Sequence, residues 1–298
     1  MGNVQQGIVK KAKFYQITWQ LVIVGSSERL IISMLPLIRS TLHALVVAAV
    51  MLGGPGTQAL AAECYATSGA QRVAVLELYT SEGCDSCPPA DAWIRELPAK
   101  KLTPARVIPL AFHVDYWDYI GWRDPYSQAY FGERQRQHGR RRGASFVFTP
   151  QLLLNGQNYR RAPFFDDIES RIKTINQMKP QADIRLRLSH TGASLDSRIE
   201  VSVDGEPYQR RAQIYIAIYE NNLVTAVTAG ENKGRTLRHD FVVRELVGPL
   251  TLNEGSNRRH IHSFQINSRW KPQDIYLAVF VQNSDSGDIL QALSASCP

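Results

Sequence analysis

The chain has 298 residues, 44% of them apolar and 20% charged, which is ordinary for a soluble globular protein with room for two cores. Its formal charge of +7 overstates the basic character, because five of the 34 Lys/Arg and only one of the 27 Asp/Glu fall within residues 1–61. The remainder carries +3, too little for an electrostatic footprint on nucleic acid.

The first expected element is a secretory signal. Arg39 supplies a positive n-region, Leu42 to Leu52 an apolar h-region, and Ala59-Leu60-Ala61 an Ala-x-Ala site with cleavage after Ala61. Met34 lies just upstream as an alternative start. An uncleaved anchor over Leu30 to Leu52 is disfavoured by Pro36, Arg39 and His43 within it, so no stable membrane span is expected after cleavage. The mature protein is expected in the periplasm or outside the cell.

Residues 63–180 are expected to form an α/β domain. Arg72 to Tyr79 is a buried strand, Ala90 to Leu97 a short helix ended by Pro98, and Arg106 to Val114 a second strand. Ser127 to His138 is helical, with Gly139 suited to its C-cap and the arginines of Arg134 to Arg142 forming a solvated helix end. Gln151 to Leu154 is a third strand turned by Asn155-Gly156, and Asp166 to Met178 a last helix. Strands alternating with helices imply a small α/β sandwich.

Residues 181–298 change pattern. Ile184/Leu186/Leu188, Ile199/Val201/Val203 and Ile214/Ile216/Ile218 are each expected to alternate with polar residues. Phe241 to Val247, His260 to Ile266 and Ile275 to Val281 are further strands. Short strands at regular spacing without helices predict an antiparallel β-sandwich.

The most informative segment is Gly83-Cys84-Asp85-Ser86-Cys87-Pro88-Pro89-Ala90-Asp91, at a strand-to-helix junction. Two cysteines spaced in this way let one thiol attack a disulfide and the other release it. The remaining cysteines, Cys64 and Cys297, lie near the ends of the mature chain. Of the three possible pairings, the one that leaves a working Cys84/Cys87 pair joins Cys64 to Cys297 in a structural disulfide. Pro88 and Pro89 lack the amide hydrogens a helix starting at Cys84 would need, so the helix starts at Pro88 or has a distorted first turn. Either outcome is expected to leave Cys84 exposed in the connecting turn. A helix N-terminus favours its thiolate by roughly 0.3–1 kcal/mol, while the Asp85 charge costs on the order of 0.7 kcal/mol. A mildly acidic thiol is the expected balance.

The first domain resembles a thioredoxin fold, through its Cys-x-x-Cys after a long strand and its Thr149-Pro150 step before the strand Gln151 to Leu154. The longer strings Tyr79 to Asp91, Phe112-His113-Val114-Asp115-Tyr116-Trp117-Asp118 and Arg235 to Arg244 resemble a secreted bacterial family of unknown function (domain of unknown function 1223) over residues 70–298. The resemblance implies a thioredoxin-like domain followed by a β-sandwich, with Pro150 cis and facing the dithiol. Two residues depart from ordinary thioredoxins: Gly83 stands where a tryptophan usually precedes the first cysteine, and Leu78 replaces the usual buried acid. Glu77 should point to the other face of the strand.

These features predict a cell-envelope thiol-disulfide oxidoreductase acting on protein thiols or disulfides, with Cys84 as nucleophile and Cys87 as resolving thiol. Thr149, Pro150 and Trp117 would contact the substrate, and His113 or Asp115 would accept a proton. Packing is the rival role of the Trp117 loop, and contact between the domains, rather than catalysis, is the expected role of Arg235, His239 and Arg244. No cofactor is implied and no metal expected. Two other functions fit the same residues: a non-catalytic adaptor that binds an envelope protein, and a copper- or zinc-handling protein using Cys84, Cys87 and His113.

Overall fold

The structure is a computed structural model that describes residues 63–160, 166–252 and 257–297. The expected secretory signal lies outside the described residues. Strand β1 (Glu63–Thr67) comes first, followed by β2 (Ala74–Thr80) and β3 (Val107–His113). Every residue of β2 and β3 is buried, the pattern of strands covered on both faces, and the two pair in parallel with Leu76 opposite Pro109.

Between them, helix α1 (Pro88–Arg95) starts where its prolines require, with Cys87 as N-cap. A 3-10 turn (Asp115–Ile120) follows β3 and leads to helix α2 (Ala129–Arg141). This helix runs through Gly139 rather than ending there, and Arg142 is its C-cap. Strands β4 (Gln151–Leu154) and β5 (Gln157–Tyr159) form the expected hairpin. Asn155 and Gly156 both have positive φ, as a type I′ turn requires, and a Cβ on Gly156 would lie 2.0 Å from the Gly287 carbonyl oxygen. Helix α3 (Ile168–Asn176) buries Ile168, Ile172 and Ile175 along one stripe.

Beyond residue 180 come β6 (Ala182–Thr191), β7 (Ser194–Val203), one helical turn α4 (Glu206–Gln209) and β8 (Ala212–Glu220). They are followed by β9 (Leu223–Ala226), β10 (Thr236–His239), β11 (Val242–Thr251), β12 (Asn257–Gln265), β13 (Ile275–Asn283) and β14 (Ile289–Ala295).

The described residues are mostly β-sheet, both mixed and antiparallel. One sheet has eight strands in the order β14-β13-β8-β11-β3-β2-β4-β5, a second has four in the order β1-β6-β7-β12, and β9 pairs with β10 in a separate ribbon. The eight-stranded sheet takes strands from both sides of residue 180, and the core around β2 and β3 also holds Tyr215, Phe241 and Phe280. Strands β11 and β3 join the halves at Val242 and Ala111. Strand β1, expected with the α/β half, instead pairs antiparallel with β6 at the edge of the four-stranded sheet.

The isoleucines of β8 do not alternate with solvent-facing residues. Ile214, Ile216 and Ile218 face the core shared with β6, β7 and β13, while Tyr215, Ala217 and Tyr219 belong to the core on the other face. A central strand covered on both sides hides its register from a simple in-out pattern.

Arg134 of α2 is buried, not part of a solvated helix end. Its Nε and Nη2 donate to Glu77 Oε2 and Oε1 at 2.9 and 2.8 Å. Its guanidinium lies 4.4 Å from the Tyr215 ring centroid and 5.3 Å from that of Phe280. Glu77 thus points to the α2 face, as its strand parity predicts.

Burial pushes the Glu77 carboxyl up, but Arg134, His138 and the Tyr79 hydroxyl outweigh it and hold the pKa at about 2. Burial dominates at His138, whose pKa falls to about 4. Both shifts have the same consequence in acid. His138 takes its proton in the unfolded chain first, so stability falls as pH drops from about 6.5 through 4. The Glu77 contribution, full above its ordinary value, is lost as pH falls from about 4.5 through 2. Each shift is worth on the order of 3 kcal/mol, and the two are coupled rather than additive. Urea midpoints measured between pH 7 and pH 3 are expected to fall steeply, and Glu77→Gln should flatten the lower part of that curve.

Candidate functional site

The Cys84-x-x-Cys87 segment forms the turn between β2 and α1, where the two cysteines are joined as a disulfide. Cys84 is 1% exposed and Cys87 0%, so the expectation of an exposed nucleophile fails. Two segments cover the turn. The 3-10 turn lies directly over Gly83, where an added Cβ would stand 3.2 Å from the Trp117 Cβ and 3.3 Å from its carbonyl oxygen. Gly83 therefore leaves room for this cover. The loop joining β9 to β10 supplies the second, as Asn232 Nδ2 donates to the carbonyls of Glu82 and Cys84 at 2.8 and 2.9 Å. The Asp85 amide donates to the Glu231 carboxylate on the same loop. Asp85 and Ser86 remain exposed, and the Ser86 hydroxyl lies 3.3 Å from the Cys84 sulfur.

Beside this turn, a groove of about 520 Å³ is lined by Ser86, Pro89, Trp93, Phe148, Pro150 and Tyr159 among others. The Thr149–Pro150 peptide bond is cis. Trp117 Nε1 donates to Thr149 Oγ1 at 2.6 Å, so these two expected substrate contacts meet at the groove's edge.

Behind the turn lies a buried cluster of carboxylates and imidazoles. Asp91 sits one helical turn beyond Cys87, and its amide bonds the Cys87 carbonyl. Thr80 Oγ1 donates to Asp91 Oδ2 at 3.0 Å. His113, at the end of β3, meets Asp124 Oδ2 through Nδ1 at 2.6 Å, and the Glu82 amide donates to the same oxygen. His239, at the end of β10, meets Glu82 Oε1 through Nε2 at 3.0 Å, while Trp122 Nε1 donates to Glu82 Oε2.

Burial would raise the Asp124 carboxyl, but His113 and the amides of Glu82 and Tyr126 bring it below the ordinary value. Burial also opposes charge on His239, yet the Asp91 and Glu82 carboxylates hold its pKa up at about 10. Such a cluster can hold or move a proton close to Cys87.

Of the two residues expected to accept a proton, His113 lies in this cluster. Asp115 is half-buried on the 3-10 turn, with Oδ1 facing Gly132 of α2. Cys64 is bonded to Cys297, across a separation of 233 residues. Arg244 lies over the Tyr126 and Trp270 rings, and Arg235 donates to Asn232. Sequence reasoning missed Asp91, Glu82, Asp124 and Asn232 and assigned His239 to domain contact. The spacing of Cys87 and Asp91, one helical turn, could have placed Asp91 on the cysteine's face.

A family model described as a protein of unknown function, DUF1223, matches residues 75–282. No curated protein matches the chain. Among solved structures, a protein from Agrobacterium tumefaciens determined in a structural-genomics programme is 25% identical, with a TM-score of 0.54. The match covers 76% of this chain and 96% of that one. HBP35 of Porphyromonas gingivalis is 16% identical with a TM-score of 0.59, covering 77% of this chain and 76% of that one, a likeness of fold alone. The two disulfides are consistent with a non-cytoplasmic protein, and no described helix is long and apolar enough to cross a membrane.

Proposed function

The chain belongs to the DUF1223 family, proteins of unknown function, and we propose that it is a thiol-disulfide oxidoreductase of the cell envelope whose dithiol is gated. The observation that carries this reading is the placement of the 84–87 disulfide between a groove edged by the cis Thr149–Pro150 bond and a buried acid-imidazole cluster. A thioredoxin-like reading of residues 72–178 accounts for β2, α1, β3, α2, the β4–β5 hairpin and α3 in that order. The leader-like segment and the two disulfides support residence in the periplasm or outside the cell.

In the reduced protein, the Cys84 thiolate attacks a substrate disulfide and forms a mixed disulfide. The displaced substrate sulfur leaves as thiolate and takes a proton. Cys87 then loses its proton, with Asp91 the adjacent acceptor, and its thiolate attacks the Cys84 sulfur. The 84–87 bond closes and the second substrate thiol is released, so the substrate gains two electrons and the protein loses two. The reverse sequence oxidises a substrate dithiol. For either direction the β9–β10 loop must lift.

The burial of both sulfurs favours a second reading, a non-catalytic adaptor that keeps the 84–87 bond as a cross-link. Alkylation after mild reduction separates the two. The oxidoreductase reading expects Cys84 to be labelled in the folded protein and Cys84→Ala to lose exchange with a model disulfide while staying folded. Asn232→Ala removes two hydrogen bonds of the cover, worth about 1 kcal/mol each. It should speed labelling by roughly tenfold or more if opening limits access. Cysteines that resist labelling until global unfolding would refute the redox function.

A further inference from the structure

The cluster behind the disulfide contains three donor atoms that its own hydrogen bonds do not use. His113 Nε2 and His239 Nδ1 are both buried without a hydrogen-bond partner. Asp91 Oδ1 lies 3.8 Å from His239 Nδ1, beyond hydrogen-bond reach. One donor atom from each residue falls within 4.8 Å of the others, and all three residues are buried.

Unpaired buried ring nitrogens are costly, and here both histidines have a ring nitrogen within 4.8 Å of an Asp91 carboxylate oxygen. We infer that Asp91, His113 and His239 form a binding site for a divalent cation of the zinc class, independent of the two cysteines.

The chemistry of the donors supports this assignment. Two imidazoles and one carboxylate match zinc, which takes such ligands at about 2.0–2.2 Å and accepts three protein donors with a fourth position left over. Donors around a tetrahedral ion at these bond lengths stand about 3.3 Å apart. The three donors, within 4.8 Å of one another, would close to that spacing around a bound ion.

The surroundings are also those of a metal site. Each ligand is oriented from behind: His113 by Asp124 through Nδ1, His239 by Glu82 through Nε2, and Asp91 by the Thr80 hydroxyl. Carboxylates on the distal nitrogen of ligating histidines fix the ring and raise its basicity. The two rings stand at 83°, with centroids 5.0 Å apart.

Charge points the same way. Glu82, Asp91 and Asp124 are all buried, and none forms an ion pair with a lysine or arginine among the described residues. The ion would tie α1, the end of β3 and the end of β10 together behind the disulfide. This assignment does not depend on the redox reading.

The test is a titration of the full chain, stripped with a chelator, using Zn²⁺ and Co²⁺. The site predicts one equivalent bound per chain, a tetrahedral Co²⁺ visible spectrum without thiolate charge transfer, and a raised Tm. Asp91→Asn keeps the shape and should abolish stoichiometric binding. Glu82→Gln leaves all three ligands in place and should weaken binding by about 10- to 100-fold. The Cys84→Ser/Cys87→Ser variant should bind as the parent does.

Absence of stoichiometric binding in the folded parent would overturn the assignment, as would binding that survives Asp91→Asn. Loss of binding in the double-serine variant would also overturn it, because the ion would then belong to the dithiol.

Discussion

Arg134→Ala is expected to cost about 3–5 kcal/mol of folding stability, a large share of what a domain has. Three separate losses follow from one truncation. Glu77 stays buried and loses the fork of donors at 2.8 and 2.9 Å. The rings of Tyr215 and Phe280 lose the cation above them. The packing between α2 and the sheet loses the side-chain stem.

The location magnifies the effect, since Arg134 reaches from one helix to β2 through Glu77 and to β8 and β13 through those rings. These strands belong to both halves of the eight-stranded sheet. Truncation therefore weakens the joint between the halves, not one element.

Urea denaturation at pH 7 measures the loss as a lower midpoint. The double variant Arg134→Met/Glu77→Leu should recover most of it, because the buried charge is removed together with its partner. An Arg134→Ala midpoint within experimental error of the parent would show that the pair contributes nothing. Failure of the double variant to recover would place the stabilisation in the cation-ring contacts rather than in the relief of a buried charge.

The parts of this architecture written in local pattern were legible in the sequence. The apolar runs of β2 and β3, the prolines that start α1, and Asn155-Gly156 each constrain the backbone of their own neighbourhood. What the sequence hid is non-local. The pairing of β11 with β3 rests on a contact between Val242 and Ala111, and no periodicity reveals which strand edges meet.

The burial of Cys84 was hidden for the same reason, because its cover comes from Asn232, 148 positions away. His239 is 157 positions from its partner Glu82. Gly83 was visible as a departure from the thioredoxin pattern, yet its cause appears only when the Trp117 backbone is seen above it. Tyr215 and Tyr219 were hard to place because a strand buried on both faces loses the alternation that marks one solvated side.

Removing the Cys64–Cys297 bond by the double substitution Cys64→Ala/Cys297→Ala should lower stability by up to about 5 kcal/mol, the chain-entropy value for a loop of this size. The bond closes 233 residues of separation, with Cα atoms 5.5 Å apart. Its position gives it further leverage. Cys64 lies on β1, an edge strand of five residues, opposite Leu188 of β6. Cys297 follows β14, the outer strand of the eight-stranded sheet. The bond thus joins an edge of one sheet to an edge of the other, and β1 is too short to hold its place by strand pairing alone.

A domain of this size is expected to lose roughly 10–20 °C in Tm for that change in free energy. Scanning calorimetry on the double variant without reductant isolates the bond, since the 84–87 pair stays intact. Strong reduction of the parent, which opens both bonds, should lower the Tm by at least as much as the double variant does. A double variant that melts within about two degrees of the parent, well short of the entropic expectation, would show that the two sheet edges hold together without the link.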